Sequence, residues 1–504
     1  MKLPARIVAC IALVSCGLAP ALTSTAASAV TSAGAGHVTV GGEGTLAGRP
    51  VRAGVGAAGG TRLWVALYKG SNGNGQATAI AASPDGSKVF ATGLNGDSPP
   101  HEFYGTVAYN PSTGARLWVA SYRGPAGANV ATAIAVSPDG SKVFVTGYSQ
   151  RAQADTVDYA TVGYDAATGA RLWVARYTGP AANGYPAAVT VSPDGSKVVV
   201  TGYSATTSSG FAYATVAYAA STGARLWVAR YGIAGEISSA DSVAVSPDGS
   251  TIFVTGTAGP NSGVRGWATI AYAAATGARL WVARYNGPLK KGGFARSVAV
   301  SPDGSAVFVT GSAIVKVQSG GYPPVAYSYA TAAYDAATGA RLWVARYHGP
   351  IGAGPDTVAT SVAVSPDGSR VYVTGASAAS ASEALTAYAT VAYAAATGAR
   401  LWAARYNGPT DQSAAVQLVV SPDGSEVFVT GSTIKVFGGI GEYQYATAAY
   451  DAATGARLWL RLCPNRARYS PAAGIAVSPD GSKIFVTGTT AKPGFHYATV
   501  AYST

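Results

Sequence analysis

Two short motifs recur down this 504-residue chain at one shared spacing, and that repetition limits the fold more than any other feature. A Leu-Trp pair ends at Trp64, Trp118, Trp173, Trp227, Trp281, Trp343, Trp402 and Trp459, with steps of 54, 55, 54, 54, 62, 59 and 57 residues. Ser-Pro-Asp-Gly begins at Ser83, Ser137, Ser192, Ser246, Ser301, Ser365, Ser421 and Ser478. Eight copies of two independent markers describe a supersecondary unit that buries its apolar faces only by stacking on its neighbours.

One unit shows what is repeated. Ser297–Val300 leads into Ser301-Pro302-Asp303-Gly304 and then Ala306–Gly311. Tyr329–Tyr334 follows a variable loop, then a turn from Asp335 to Gly339, then Arg341–Tyr347. Each run is short, rich in Val, Thr, Tyr and Trp, and bounded by turn formers, which is the signature of a strand. No stretch sustains a helical period. In Ser-Pro-Asp-Gly the Pro presets φ, Asp suits the next position and Gly takes the left-handed one, closing a hairpin. Gly339 supplies positive φ in the second turn. Four antiparallel strands per unit and eight units predict an all-β, eight-bladed β-propeller. The last unit stops after its third strand, Tyr497–Tyr502, while an orphan fourth strand, Arg62–Tyr68, opens the periodic region. The N-terminal strand is therefore expected to complete the last blade and close the ring. The small-residue first strand should line the channel, and the fourth should lie outermost with Trp wedged against the adjoining blade.

The unit resembles the bacterial quinoprotein-type (PQQ-like) β-propeller repeat, whose signature Ala-x-Asp-x-x-x-Gly-x-x-x-Trp is matched by Ala333, Asp335, Gly339 and Trp343, and by Ala449, Asp451, Gly455 and Trp459. Ala108, Asn110, Gly114 and Trp118 match with Asn for Asp; Ala219, Ala273 and Ala394 replace the Asp elsewhere, and Gly163 replaces the Ala beside Asp165. The hairpin followed by Val-Phe-Val-Thr-Gly is also similar to WD-like and Tyr-Val-Thr-Asn surface propellers. The resemblance implies the fold. For a quinone dehydrogenase it would imply pyrroloquinoline quinone beside a vicinal disulfide and over calcium, but the three cysteines, Cys10, Cys16 and Cys463, include no adjacent pair, and no Cys-x-x-Cys-His haem motif occurs. No quinone site and no other cofactor is therefore expected, and fold alone argues no activity.

The remaining chemistry is sparse. His37, His101, His348 and His496 lie apart, without a second His or Cys at ligand spacing, so no metal site is expected. His101 and Glu102 read as an exposed loop pair. The eight Asp residues of Ser-Pro-Asp-Gly belong to separate turns, and no Gly-x-Ser-x-Gly elbow precedes a helix. No catalytic residue can be named. The formal charge of +12 would suit nucleic acid, but fourteen Arg residues fall at two repeat positions: before Leu-Trp, and three residues after Trp (Arg176, Arg230, Arg284, Arg346, Arg405, Arg461). Such a belt reads as charged gatekeepers on outer strands rather than a nucleic-acid patch.

Residues 1–29 read as a signal peptide: Lys2 and Arg6, an apolar run from Ile7 to Val14, then Ala27-Ser28-Ala29. Leu13-Val14-Ser15-Cys16 offers a competing reading, a lipid anchor at Cys16; either places the protein in the extracellular space or the cell envelope. No stretch suits a membrane span. Residues 30–60 form a Gly/Ala-rich spacer, and residues 61–504 the propeller. Cys463 alone remains in the mature chain and reads as a buried, inert thiol. The expected function is a monomeric, non-catalytic binding or scaffold module, engaging a protein or polysaccharide through its variable loops. Those loops carry Tyr322, Phe437, Tyr443, Tyr469, Lys290, Lys291, Arg466 and Arg468. The alternative is a lactonase-like hydrolase, which would require an acid, amide and His cluster at the channel mouth.

Overall fold

The computed structural model describes residues 59–504, apart from 71–72, 97–101, 153, 208–209, 233–235, 261–263, 318–324, 350–353, 355–356, 380–385, 411, 438–439, 464–470 and 492–493. The signal peptide, nearly all of the spacer, Cys10, Cys16, His37, His101, Tyr322, Tyr469, Arg466 and Arg468 lie outside the described residues, as does the side chain of Phe437. The described residues form 32 strands in eight four-stranded antiparallel sheets. Blades 1 to 7 span 75–122, 129–177, 184–231, 239–285, 293–347, 358–406 and 413–463. Blade 8 takes strands Ala472–Val477, Lys483–Ala491 and Phe495–Ser503, and the N-terminal Arg62–Tyr68 pairs with the last of these as its fourth strand. The ring closes as the orphan strand foretold, and no helix is long and apolar enough to cross a membrane among the described residues.

Each blade is buried through its middle. The second and third strands carry apolar residues on both faces, so their side chains fill the spaces between blades. A Thr pair sits at the centre of every blade, as in Thr310 and Thr331, whose hydroxyls lie 3.0 Å apart and fully buried. Because a buried hydroxyl without a partner costs about 1–3 kcal/mol, pairing them across two strands also pins the register.

Three belts tie blade to blade. In the first, the indole N–H of seven of the eight Leu-Trp residues donates to the backbone of the following blade's second turn, as from Trp118 to Ala166 O at 3.1 Å, Trp281 to Ala336 O at 2.9 Å and Trp402 to Ala452 O at 3.0 Å. The turn Gly lies flat beneath that indole. A Cβ on Gly339 (φ 73°) would stand 2.6 Å from Trp281 Cδ2, so Gly serves the neighbouring blade as well as its own turn. In the second belt the aromatic two residues before the central Thr of each third strand donates to a backbone carbonyl of the next blade, on its third strand in every case but Trp267, which reaches Ser312 O on the second. Tyr159 reaches Ala214 O at 3.2 Å, Trp267 takes this part in blade 4, and Tyr497 returns to Gly105 O of blade 1 at 3.1 Å.

The third belt corrects the reading of six arginines as free gatekeepers. Side chains alternate along a strand, so if Trp faces the following blade, the Arg three residues later faces the preceding one. Arg176, Arg230, Arg284 and Arg346 accordingly donate to Tyr122, Tyr177, Tyr231 and Tyr285 of the preceding blade. Arg405 is held by Ser377 Oγ and Ala378 O, and Arg461 by Gly59 and Gly60 carbonyls. The other set, from Arg62 to Arg457, is exposed at the rim as expected, and a β-bulge at each neighbouring Leu twists the free edge further from pairing.

Candidate binding face

The two kinds of connection leave the ring on opposite faces. The turn face carries Ser-Pro-Asp-Gly and the Asp335-type turns, and it consumes its own polar groups. In blade 2, Ser137 Oγ donates to Asp139 Oδ1 at 2.5 Å, and the Ser141 amide and hydroxyl both donate to the same carboxylate. Those bonds, the Ser137 hydroxyl first, hold Asp139 down to about 2. Asp85 and Asp367 are also held at about 2, led by the bond from the Ser two residues before each. Each Pro packs on the Gly of the following blade's turn; a Cβ on Gly368 would lie 3.5 Å from Pro302 Cδ. Every copy does the same, so this face presents one structural pattern eight times.

The opposite face, made of the links between second and third strands and between blades, is where repeat positions diverge. In blade 3, Tyr185 and Tyr203 oppose each other across the first two strands, rings stacked at 5.2 Å. Tyr148 of blade 2 packs on Tyr185 at 5.4 Å, and Phe211 of the third strand meets Tyr203 edge-on at 5.1 Å. All four rings are half-buried. The position of Tyr203 is held by Tyr148 in blade 2 and by Leu94, Thr257, Ser312, Ala376, Ser432 or Thr489 in the other six, as the strand registers show. Phe211 is held by the blade 3–4 link, its amide donating to Glu236 O and its carbonyl accepting from Ser238 N.

Beside this row lies a departure in the first strands. Each first strand bulges at one residue near its loop-face end; in three blades that residue is Thr78, Thr132 or Thr360, bonded to the next blade's backbone. Blade 4 has Asp241 there and blade 5 has Arg296, 3.9 Å apart. Burial pushes Asp241 up to about 6, with Arg296 pulling in the opposite sense. Its charge is felt by the Tyr203 hydroxyl, which burial and the neighbouring Tyr185 already push up. Arg296 also lies 5.9 Å over the Phe294 ring, which touches Tyr327.

The remaining candidates do not converge. His348 is exposed, its pKa lowered by partial burial and then by Arg346. His496 is buried in blade 8, lowered by burial and Lys69, and its Nδ1 has no hydrogen-bond partner among the described residues. Glu102 offers its carbonyl to Asn129. Lys290 and Lys291 stand exposed in the blade 4–5 link, and Tyr443 is half-buried in blade 7. Cys463 is buried and burial pushes its thiol up, as befits an unreactive one. Among the described residues no three His, Cys, Asp or Glu side chains gather as metal ligands would. Sequence reading missed the aromatic row, although aligning the repeats and asking where an aromatic replaces a small residue would have exposed it.

The geometry so far defines a class: an eight-bladed propeller whose chemistry is distributed over one face. Within that class the chain belongs to the outer membrane protein assembly factor BamB family, whose model matches residues 50–227 and 212–488. No curated protein matches it. Solved structures share the fold at low identity. Sqt1 of Chaetomium thermophilum, solved bound to the N-terminus of ribosomal protein L10, is 13% identical over 87% of this chain and 98% of that one, with a TM-score of 0.55. Quinohemoprotein alcohol dehydrogenase from Comamonas testosteroni is 14% identical over 87% and 76%, TM-score 0.54. A europium-containing methanol dehydrogenase is 12% identical over 88% and 93%, TM-score 0.50. At these identities the likeness shows the fold alone. The vicinal cysteine pair is missing from the sequence, and the one acid in the first-strand ring, Asp241, is tied to Arg296.

Proposed function

We propose that this chain is an exported, non-catalytic propeller that uses its loop-bearing face to hold a protein or polysaccharide in the cell envelope or outside the cell. The observation that carries the reading is the contrast between faces. One repeats a self-satisfied turn eight times, whereas the other gathers half-buried aromatics and an inter-blade ion pair where the repeat is broken. Unpaired recognition chemistry belongs on the second. Membership of a family described as an outer membrane protein assembly factor accords with an envelope role of this kind, and the Lys2 to Ala29 pattern accords with export.

The test is face-selective cross-linking. Because Cys463 is buried, a single cysteine introduced by Lys291→Cys or Ala337→Cys can carry a photo-cross-linker on the loop face or the turn face respectively. In the native host's envelope and culture fractions, adducts are expected from Lys291→Cys and not from Ala337→Cys. Adducts chiefly from the turn face, or a chain confined to the cytoplasm on fractionation, would overturn the proposal. Palmitate incorporation at Cys16 separates an anchored chain from a secreted one.

A further inference from the structure

We propose that the arc from Tyr148 through Tyr185, Tyr203 and Phe211 to Asp241 and Arg296 is a binding site for a neutral polysaccharide. The inference rests on the loop-face reading above and names its ligand class.

Aromatics recur singly or in pairs at the equivalent positions, as Tyr443, Phe495 and the Phe294–Tyr327 pair do, whereas four half-buried rings meet here. A packing role common to all blades cannot explain them, because blade 6, with Val358, Ala376 and Thr386 at the matching positions, packs without any. Their spacing decides between ligands. The rings touch at centroid distances of 5.1, 5.2 and 5.4 Å, so no gap separates them. A proline-rich peptide needs slots between aromatics to receive its prolines, and this row has none. What it offers is a continuous apolar row running from blade 2 across the first three strands of blade 3, its rings packed on one another and each still partly open to solvent. The weakly positive C–H groups of a pyranose meet the π density and apolar edges of such rings, so a chain of sugars can lie along the row.

The polar end agrees. Asp241 and Arg296 are partly accessible, with side-chain exposures of 15% and 28%. A carboxylate and a guanidinium side by side accept from and donate to neighbouring hydroxyls, while their charges cancel. An anionic polymer would gain from Arg296 but meet Asp241, and a cationic one the reverse. A neutral glycan meets neither repulsion.

The experiment is affinity electrophoresis of the full chain through native gels cast with hydroxyethyl cellulose, mixed-linkage β-glucan, xylan or glycogen. At least one polymer should retard the wild-type chain. Tyr185→Ala/Tyr203→Ala should weaken retardation about tenfold, as loss of central aromatic contacts does, and the rim control Leu342→Ala should leave it unchanged. Because an Ala pair can loosen blade 3, Tyr185→Phe/Tyr203→Phe is included; it keeps the row and should keep most of the binding. Failure of every polymer to retard the chain, or retardation indifferent to loss of the rings, would overturn the inference. If Lys291→Cys still yields a protein adduct while no polymer binds, the glycan site falls and the broader loop-face reading stands.

Discussion

The joint between blades 4 and 5 and the joint between blades 7 and 8 use the same parts, but only one has a continuous chain through its turn. In the first, Gly339 lies under Trp281 in a covalent turn, with the Gly339 amide bonded to Asp335 O and the Asp335 amide to Ala340 O. In the second, Gly60 lies under Trp459, its amide bonded to Ser503 O, and the Ser503 amide to Thr61 O. Ser503 Oγ even accepts from the Thr61 amide, much as Asp335 Oδ1 accepts from Thr338. Two chain segments more than 400 residues apart thus rebuild a turn without a covalent link through it, and Arg461 clasps it through the Gly59 and Gly60 carbonyls. The indole N–H of each of the seven equivalent Trp residues is satisfied by the following blade, and Trp459 Nε1 has no acceptor among the described residues. The inner aromatic belt crosses this joint unbroken, the Tyr445 hydroxyl donating to Ala498 O. Closure at this joint therefore rests on the middle strands together with the rebuilt turn.

Removing the seam strand is the severest way to break that comparison. A chain beginning at Lys69 would expose the Phe495–Ser503 strand and lose the buried Trp64 and Tyr68. It should lose on the order of 5 kcal/mol or more, read as a collapsed or lost thermal transition. Gly339→Ala and Gly60→Ala come next. Both place a Cβ 2.6 Å from an indole at positive φ, but Gly60 is not chained to Ser503 and can yield. We expect a cost of about 3 kcal/mol at Gly339 and about 1 at Gly60, measured by denaturant unfolding.

Acid should act on seam and covalent joints alike, because the turns beneath both are the same. Asp85, Asp139 and Asp367 are held at about 2, below the ordinary carboxylate value near 4. A depressed folded-state pKa adds stability that is complete above about 4 and is lost as pH falls toward 2. The melting temperature should fall across that window, and Asp139→Asn should flatten the fall. A melting temperature constant from pH 4 to 2 would remove the turn carboxylates from the account. Smallest of all is Trp→Phe. Trp281→Phe gives up the bond to Ala336 O and should cost about 1 kcal/mol, read by denaturant unfolding.

The sequence spoke plainly about elements whose reason is local. Pro, Asp and Gly in Ser-Pro-Asp-Gly dictate a hairpin whatever surrounds them, and the complementary start and stop of the repeat located the seam. It was silent on Arg176 and its equivalents, which looked like surface charge until the blades were stacked and each found the preceding blade's Tyr. Gly59 and Gly60 read as the tail of a spacer, since what makes them turn residues is Ser503 and Trp459, far along the chain. The aromatic row was hidden for the same reason. Tyr148 and Tyr203 are unremarkable strand residues until curvature brings blade 2 against blade 3.

What the amino-acid sequence settled alone was the blade: strand lengths from alternation, turn chemistry from Pro and Gly, and eight copies from two markers of one period. These are short-range properties, written within about a dozen residues. Which side chains meet across blades, which arginines remain free and where the repeat opens into a binding surface were decided by closure of the ring. Closure sets the angle and spacing between neighbouring sheets, and no single unit contains that information.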